Sequence, residues 1–134
     1  MESKRANILI IEDHDATRLL LGTSFKNDYH VVVKKDGLDG IAWLASGNIP
    51  NLIILDMQMP RLSGIDFLRQ INSSGIFKDI PVLIVSGNEV EEEIVRCFEL
   101  GVWAFIQKPF NPIALKDKVK SIIQRTTTVQ MVNG

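Results

Sequence analysis

The sequence lacks the features that mark secreted and membrane proteins. It has a single cysteine, so no disulfide can form within the chain, and Cys97 is expected to be a buried, unreactive thiol. No apolar run approaches the ~18 residues of a membrane span, and the first run ends before Glu12, too early for the core of a signal peptide. These absences predict a cytoplasmic protein with no part in a membrane.

The sequence also lacks an excess of charge of either sign. Fifteen Lys and Arg face sixteen Asp and Glu, and the formal net charge is −1. Proteins that bind nucleic acid or anionic membranes usually carry a basic surface. We therefore predict no direct binding to nucleic acid or to a membrane. The 134 residues, 46% of them hydrophobic, are ordinary for one globular domain.

Five short apolar runs recur along the chain, and most of them are continuous rather than alternating. Continuous runs are typical of parallel strands that are covered by helices on both faces. Stretches of helical length separate the runs, so the sequence predicts an α/β domain in which a strand and a helix alternate five times. The predicted strands are residues 7–11, 30–34, 51–55, 81–85 and 103–107.

Capping signals mark the predicted helix starts. Short polar residues favour the N-cap position because their side chains accept hydrogen bonds from free backbone N–H groups. We predict one domain over residues 1–125, followed by a short flexible tail over residues 126–134 that is rich in polar residues and ends in glycine. The predicted N-caps are Asp15, Asp36, Ser63, Asn88 and Asn111.

Polar side chains stand where the predicted strands end. In a parallel sheet the carboxyl ends of the strands share one edge, and ligand sites of open α/β sheets lie there. Each residue also has a simpler interpretation, as a helix cap, a turn residue or a solvated charge. Their joint placement favours a common site, built from Glu12, Asp13, Asp56, Ser86 and Lys108.

The residue types at this edge indicate phosphoryl transfer. Carboxylates held close together repel one another unless a cation offsets their charge, and Mg²⁺ prefers oxygen ligands. The ammonium of Lys108 and the hydroxyl of Ser86 suit the oxygens of a phosphoryl group, and an aspartate can act as its acceptor. The sequence therefore predicts a magnesium site beside a nucleophilic carboxylate.

Four motifs in order resemble the receiver domain of two-component response regulators, from about Asn7 to Gln124: ILIIED, LIILDMQMPRLSGIDFL, PVLIVSG and FIQKPF. The resemblance implies a doubly wound (βα)5, flavodoxin-like fold with a parallel five-stranded sheet in the order 2-1-3-4-5. It implies that Asp56 accepts a phosphoryl group from a sensor histidine kinase or a phosphotransfer protein. A cis bond between Lys108 and Pro109 is also typical of this family.

The resemblance assigns further roles around Asp56. Asp13 would bind Mg²⁺ directly together with Asp56, and Glu12 would act through a water molecule. The backbone carbonyl of Gln58 would complete the protein ligands. Ser86 matches the hydroxyl switch of the family, and Lys108 matches its site lysine.

The resemblance also predicts how the signal leaves the site. Phe105 stands at the position of the aromatic switch, and the output surface consists of the fourth helix, the fifth strand and the fifth helix. A downstream protein would bind this surface, and a homodimer through the same face is a further expectation. Trp103 either anchors a partner or packs locally against the fourth helix.

Gln58 and Asn88 lie two residues beyond Asp56 and Ser86, at positions that tune hydrolysis of the aspartyl phosphate in this family. Neither is an acid, so we expect a phosphorylated state that lasts minutes rather than seconds. The only chemistry expected is the transfer of the protein's own phosphoryl group and its later hydrolysis, which defines a signalling switch rather than a turnover enzyme.

Three other functions are compatible with parts of the pattern. A Mg²⁺-dependent phosphatase with an aspartyl nucleophile would require a second aspartate where Gln58 stands. A flavodoxin-like FMN module would require a phosphate loop rich in Ser, Thr and Gly after the first strand, where this chain has EDHDATR. An interaction module that never binds phosphate would not need Asp13, Asp56, Ser86 and Lys108 together.

Overall fold

A computed structural model describes the backbone of residues 5–133 and the side chains of residues 5–126. Strands and helices alternate along this part of the chain, as the sequence predicts. The elements are β1 (Asn7–Ile11), α1 (Asp15–Phe25), β2 (His30–Lys34), α2 (Gly37–Ala45), β3 (Leu52–Leu55), α3 (Gly64–Asn72), β4 (Val82–Ser86), α4 (Glu91–Glu99), β5 (Ala104–Gln107) and α5 (Pro112–Asn133).

The strands form one parallel sheet in the order β2-β1-β3-β4-β5. The predicted order 2-1-3-4-5 is confirmed, and the predicted strand bounds differ from those of the structure by at most one residue. β4 begins at Val82 because Pro81 has no backbone N–H to donate to a neighbouring strand. The register pairs Ile11 with Leu55 and Leu55 with Ile84, so the ends of the central strands lie side by side.

Helices cover both faces of the sheet. Alternate residues of β1 and β3 enter different hydrophobic clusters, because successive side chains of a strand point to opposite faces. One cluster joins the sheet to α2, α3 and α4 through Leu44, Phe67, Leu68, Ile71 and Cys97. The other joins it to α1 and α5 through Leu21, Phe25, Leu115, Val119 and Ile122. The doubly wound fold is confirmed.

Three of the predicted N-caps are confirmed. The side chain of Asp36 accepts from Asp39 N at 2.9 Å. Ser63 accepts from the backbone of α3 at 3.2 Å, and Asn111 accepts from the backbone of α5 at 2.9 Å. These bonds fix where α2, α3 and α5 begin, because each supplies an acceptor for an otherwise free N–H group.

The other two predicted caps are wrong. α1 is capped by His14, whose Nδ1 accepts from Thr17 N at 3.3 Å, and Asp15 is the first helical residue. α4 has Val90 at its N-cap and no side-chain cap bond, while Asn88 lies exposed in the preceding loop. α4 begins two residues later than the sequence pattern indicates, which places its start beyond the reach of the Asn88 side chain.

α5 continues beyond the predicted domain boundary. Its helical backbone runs to Asn133, and the Thr126 hydroxyl donates to Ile122 O at 2.9 Å, a bond that lets a β-branched residue fit within a helix. The described backbone of residues 126–133 is therefore helical, and Gly134 lies outside the described residues. The boundary after residue 125 and the flexibility of the tail stay predictions. Neither α5 nor any other helix in the described part of the chain combines the length and apolarity needed to cross a membrane.

Cys97 is fully buried, and its Sγ lies 3.7 Å from Met57 Sδ. Burial, together with the nearby charges of Glu89 and Glu93, raises the pKa of its thiol to about 11. The thiolate, which is the reactive form, is therefore scarce at neutral pH. The prediction of a buried thiol is confirmed.

Candidate functional site

Four polar side chains meet at the carboxyl edge of the sheet. Glu12 follows β1, Asp56 follows β3, Ser86 ends β4, and Lys108 follows β5. The first three are at least 93% buried, although each is charged or polar, and Lys108 is partly exposed. Buried polar groups require partners. These four side chains are partners of one another.

Lys108 joins the two buried carboxylates. Its Nζ lies 2.8 Å from Glu12 Oε1 and 3.8 Å from Asp56 Oδ1. Burial raises the pKa of Glu12 above its ordinary value, and the hydrogen bonds from Lys108 and from the backbone N–H of His14 only partly offset this effect. Two carboxylates at the edge of the sheet thus share one ammonium, an arrangement that favours the binding of a further cation.

The donors around Asp56 gather on one of its two oxygens. Ser86 Oγ lies 2.9 Å from Oδ1, and the backbone N of Gln58 lies 3.4 Å from the same atom. Lys108 faces Oδ1 as well. Among the described residues, none donates a hydrogen bond to Oδ2. Asp56 thus keeps one carboxylate oxygen that is available for reaction.

Several predicted site residues lie at the rim. Asp13, Gln58 and Asn88 are exposed. In the described part of the chain, no three acidic, histidine or cysteine side chains are close enough to form a metal site. The structure therefore brings two of the three predicted carboxylates together, Glu12 and Asp56. Lys108 lies between these two, and Asp13, the residue after Glu12, is exposed at the rim.

The residues nevertheless fit a hard divalent cation. Glu12 and Asp56 approach a single cationic atom, the Nζ of Lys108, which shows that both can face one positive charge. Their donor atoms, like those of the neighbouring Asp13 and of the loop carbonyls, are oxygens. Mg²⁺ is usually held by one or two carboxylates and several waters, so a cage of three acids is not required.

Two residues of the site were missed in the sequence. Arg18 Nη1 donates to the carbonyl oxygens of Glu12 at 3.1 Å and Asp13 at 3.2 Å, and so holds the acidic turn onto α1. Glu89 places Oε1 at 2.5 Å from Ser86 Oγ. The available signals were an arginine shortly after the Glu12-Asp13 pair and a glutamate shortly after the Ser86-Gly87 turn.

Arg61 connects the loop that follows Asp56 to the start of α2. It adopts a left-handed backbone conformation with φ 69°, which is rare for residues other than glycine. Its guanidinium donates to the Asp36 carboxylate through Nε at 3.1 Å and through Nη2, and it lies 3.6 Å from Asp39 Oδ1. This ion pair holds the loop in place against α2.

Asp36→Asn is expected to make the fold less sensitive to acid. Burial alone would raise the pKa of Asp36, but the Asp39 backbone N–H and the Arg61 guanidinium outweigh it and hold the pKa below its ordinary 3.8. The carboxylate thus adds stability above about pH 3.8 and loses it as pH falls through the lower, folded-state value. Asparagine keeps the cap, because its oxygen also accepts from an N–H group.

Urea denaturation at neutral pH and at about pH 3 measures this effect. The wild-type protein should lose more free energy of unfolding between the two conditions than the Asp36→Asn protein loses. Asp117→Asn, which removes an exposed carboxylate on α5, should keep the wild-type acid dependence. Equal losses in the wild type and in Asp36→Asn would contradict the role given to this carboxylate.

The predicted switch residue lies on β5, and the predicted partner residue directly precedes this strand. Phe105 is partly buried and packs against the cluster on the side of α2, α3 and α4. Trp103 is 39% exposed, and the guanidinium of Arg125 lies 5.6 Å from its ring centroid. This cation–π contact joins Trp103 to α5, and both partner binding and packing against the fourth helix stay predictions for this residue.

The family of response regulator receiver domains matches residues 8–120 of this chain. The chain belongs to this family. Its fold agrees with the assignment, because the predicted sheet order and the predicted cis bond between Lys108 and Pro109 are both present. The resemblance inferred from the four sequence motifs is confirmed, and the domain is a signalling module.

Known proteins support the same conclusion. The chemotaxis protein CheY-3 of Vibrio cholerae is 31% identical over 128 residues, covering 92% of this chain and 95% of that protein. The response regulator MprA of a Mycobacterium species (strain KMS) is 31% identical over 121 residues. That match covers 90% of this chain but 51% of MprA, so the receiver domain spans about half the length of that relative.

A solved structure shows the same architecture. It is the signal receiver domain of a protein described as a Luxo repressor, from Vibrio parahaemolyticus. It is 29% identical to this chain, with a TM-score of 0.88, and the match covers 97% of this chain and 98% of that domain. The five-stranded receiver fold is therefore common to both.

Proposed function

We propose that this receiver domain is a switch that accepts a phosphoryl group on Asp56. The observation that carries the proposal is the placement of Lys108 Nζ and Ser86 Oγ at 3.8 Å and 2.9 Å from one oxygen of Asp56. A cation and a hydroxyl beside an acceptor carboxylate suit the charged oxygens of a phosphoryl group. Because these donors gather on Oδ1, Oδ2 is the attacking atom.

The phosphoryl donor is a phosphohistidine on a sensor histidine kinase or a phosphotransfer protein. A lone pair on Asp56 Oδ2 forms the new P–O bond while the P–N bond breaks. The imidazole nitrogen keeps the electron pair and takes a proton from solvent. Lys108 offsets the charge of the transferred group, and Ser86 donates its hydroxyl proton to one of the phosphoryl oxygens.

Mg²⁺ is the cofactor of this transfer, and when bound it offsets charge on the phosphoryl oxygens. Asp13 and Asp56 would hold it directly, together with the backbone carbonyl of Gln58. Glu12 would act through a water molecule. Support for this set comes from the all-oxygen donors at the sheet edge and from the two buried carboxylates that share the single ammonium of Lys108.

The signal leaves through the surface of α4, β5 and α5. In this proposal Ser86 moves toward the phosphoryl group, Phe105 follows, and the balance between two packings of this surface shifts. Val95 and Phe98 of α4 are 49% and 48% exposed, so the surface already carries apolar side chains. A downstream protein, or a second copy of the chain in a homodimer, would bind there, with Trp103 as a contact residue.

Water ends the signal by hydrolysing the aspartyl phosphate. Gln58 and Asn88 are exposed beside the site, where they can adjust the approach of water, and neither can act as a base. The chain's chemistry is limited to its own phosphoryl group. A phosphatase acting on external esters is not favoured, because Gln58 stands where such an enzyme would need its second aspartate. The net charge of −1 argues against direct binding to nucleic acid.

Intact-mass analysis after incubation with Mg²⁺ and acetyl phosphate tests the proposal. We expect one phosphoryl adduct on the wild-type protein and none on Asp56→Asn, because asparagine lacks the nucleophilic carboxylate. Asp28→Asn, an exposed substitution at the end of α1, should be labelled like the wild type. An adduct that persists in Asp56→Asn, or its absence from the wild type, would refute the assignment.

A further inference from the structure

Glu89 makes an unusual contact in the segment between β4 and α4. Its Oε1 lies 2.5 Å from Ser86 Oγ. Its other oxygen, Oε2, is buried and has no hydrogen-bond partner among the described residues. An unpaired buried carboxylate oxygen is energetically unfavourable, and the hydrogen bond from Ser86 to Oε1 offsets part of this cost. Neither the proposed phosphoryl transfer nor the packing of the core requires a carboxylate here.

The hydroxyl of Ser86 stands between two carboxylates. Asp56 Oδ1 lies 2.9 Å from Ser86 Oγ, and Glu89 Oε1 lies closer, at 2.5 Å. A serine hydroxyl carries one proton, so it can donate to only one acceptor at a time. Glu89 therefore competes for the proton that Ser86 would give to a phosphoryl oxygen on Asp56.

The start of α4 is able to change when this contact breaks. Val90 occupies the N-cap without a side-chain hydrogen bond, so no capping bond has to be lost. Glu89 precedes this end of the helix, where free backbone N–H groups can donate hydrogen bonds to a carboxylate. Release of Glu89 from Ser86 would thus alter α4, which carries the exposed Val95 and Phe98.

We propose that Glu89 is a positioning residue that competes with Asp56 for the proton of the Ser86 hydroxyl in the unphosphorylated protein. This inference rests on the proposed phosphorylation of Asp56. The incoming phosphoryl group has to displace Glu89 from Ser86, because both are negatively charged and both need the same proton. Glu89 slows phosphorylation by this competition, and its displacement carries the change at Asp56 to the start of α4.

The first test compares rates of labelling by acetyl phosphate with Mg²⁺. Glu89→Gln removes the charge but keeps the size of the side chain and one acceptor oxygen, and it should raise the rate about fivefold to tenfold, because a neutral acceptor competes less well than a carboxylate for the Ser86 proton. Glu91→Gln, which removes an exposed charge from the first turn of α4, should leave the rate within about twofold of the wild type. An unchanged or lower rate in Glu89→Gln, or an equal rise in Glu91→Gln, would overturn the proposal.

A double-mutant cycle separates competition for Ser86 from simple charge repulsion. In a Ser86→Ala background, the hydroxyl proton is gone, so Glu89→Gln should change the rate by no more than about twofold. The same five- to tenfold rise in that background would show that Glu89 does not act through Ser86.

A third measurement works without any phosphoryl group. Amide hydrogen exchange of residues 87–91 should be faster in Glu89→Ala than in the wild type, and unchanged in Glu91→Ala, because only the first substitution removes the bond to Ser86. If Glu89→Ala exchanges faster but the wild-type protein is never labelled by acetyl phosphate, the phosphorylation proposal is refuted and the contact between Glu89 and Ser86 is retained. Normal labelling with unchanged exchange in Glu89→Ala would refute the role of Glu89 alone.

Discussion

Lys108→Ala is expected to slow phosphorylation of Asp56 by about 100-fold to 1000-fold, the usual effect of losing one charged donor from a site where negative charge is transferred. Lys108 Nζ lies 2.8 Å from Glu12 and 3.8 Å from Asp56, so it is the cation that the described side chains place between the two buried carboxylates. Without it, a phosphoryl group would approach two acids with no fixed positive charge to receive it.

The rate of adduct formation with acetyl phosphate and saturating Mg²⁺ measures this effect. Lys118→Ala is the matched control, because it removes an exposed lysine from α5, away from the site, and should keep the wild-type rate. Circular dichroism establishes that both variants are folded. A folded Lys108→Ala protein that is labelled within about threefold of the wild-type rate would show that the ammonium is not part of the transfer site.

Most of the fold could be predicted because the apolar runs are compatible with few arrangements of strands and helices. Continuous apolar runs such as Leu52–Leu55 can be buried on both faces only in a parallel sheet with helices above and below. Once the strands are parallel, the residues after them must share one edge. That argument placed Glu12, Asp56, Ser86 and Lys108 together, and the structure confirms their mutual contacts.

What could not be predicted depends on loop geometry. Glu89 contacts Ser86 because the chain turns at Gly87 and α4 begins only at Glu91. The sequence pattern placed the N-cap at Asn88, so it predicted neither feature. The different burial of Glu12 and Asp13 was not predicted either. Adjacent residues in extended backbone point in different directions, so a strand can bury Glu12 and leave Asp13 in solvent.

Side-chain contacts between elements far apart in the sequence could not be predicted either. The guanidinium of Arg125 lies over the ring of Trp103, and these residues approach each other only after α5 has packed beside β5. A sequence pattern indicates which face of each helix or strand is buried. The contact between two long side chains depends on the final angle between the helix and the strand. The role of Trp103 in partner binding stays a prediction.

Gly64→Ala is expected to destabilise the fold by about 1–3 kcal/mol and to slow phosphorylation, because a methyl group would be forced into filled space. A Cβ at Gly64 would lie 2.7 Å from the Cα of Met57 and 2.7 Å from its Sδ. Gly64 N also donates to Met57 O at 3.0 Å, which holds the start of α3 against the residue that follows Asp56. Backbone atoms cannot rotate aside as a flexible side chain can, so the loop itself must move.

Two measurements on the same protein separate stability from the position of the site. Urea denaturation gives the change in the free energy of unfolding, and acetyl phosphate labelling under fully folded conditions gives the rate at Asp56. Gly75→Ala is the matched control: its Cβ would meet no atom within 4 Å, so stability and rate should both stay close to the wild type. A Gly64→Ala protein that matches Gly75→Ala in both measurements would show that the loop after β3 does not depend on this close approach.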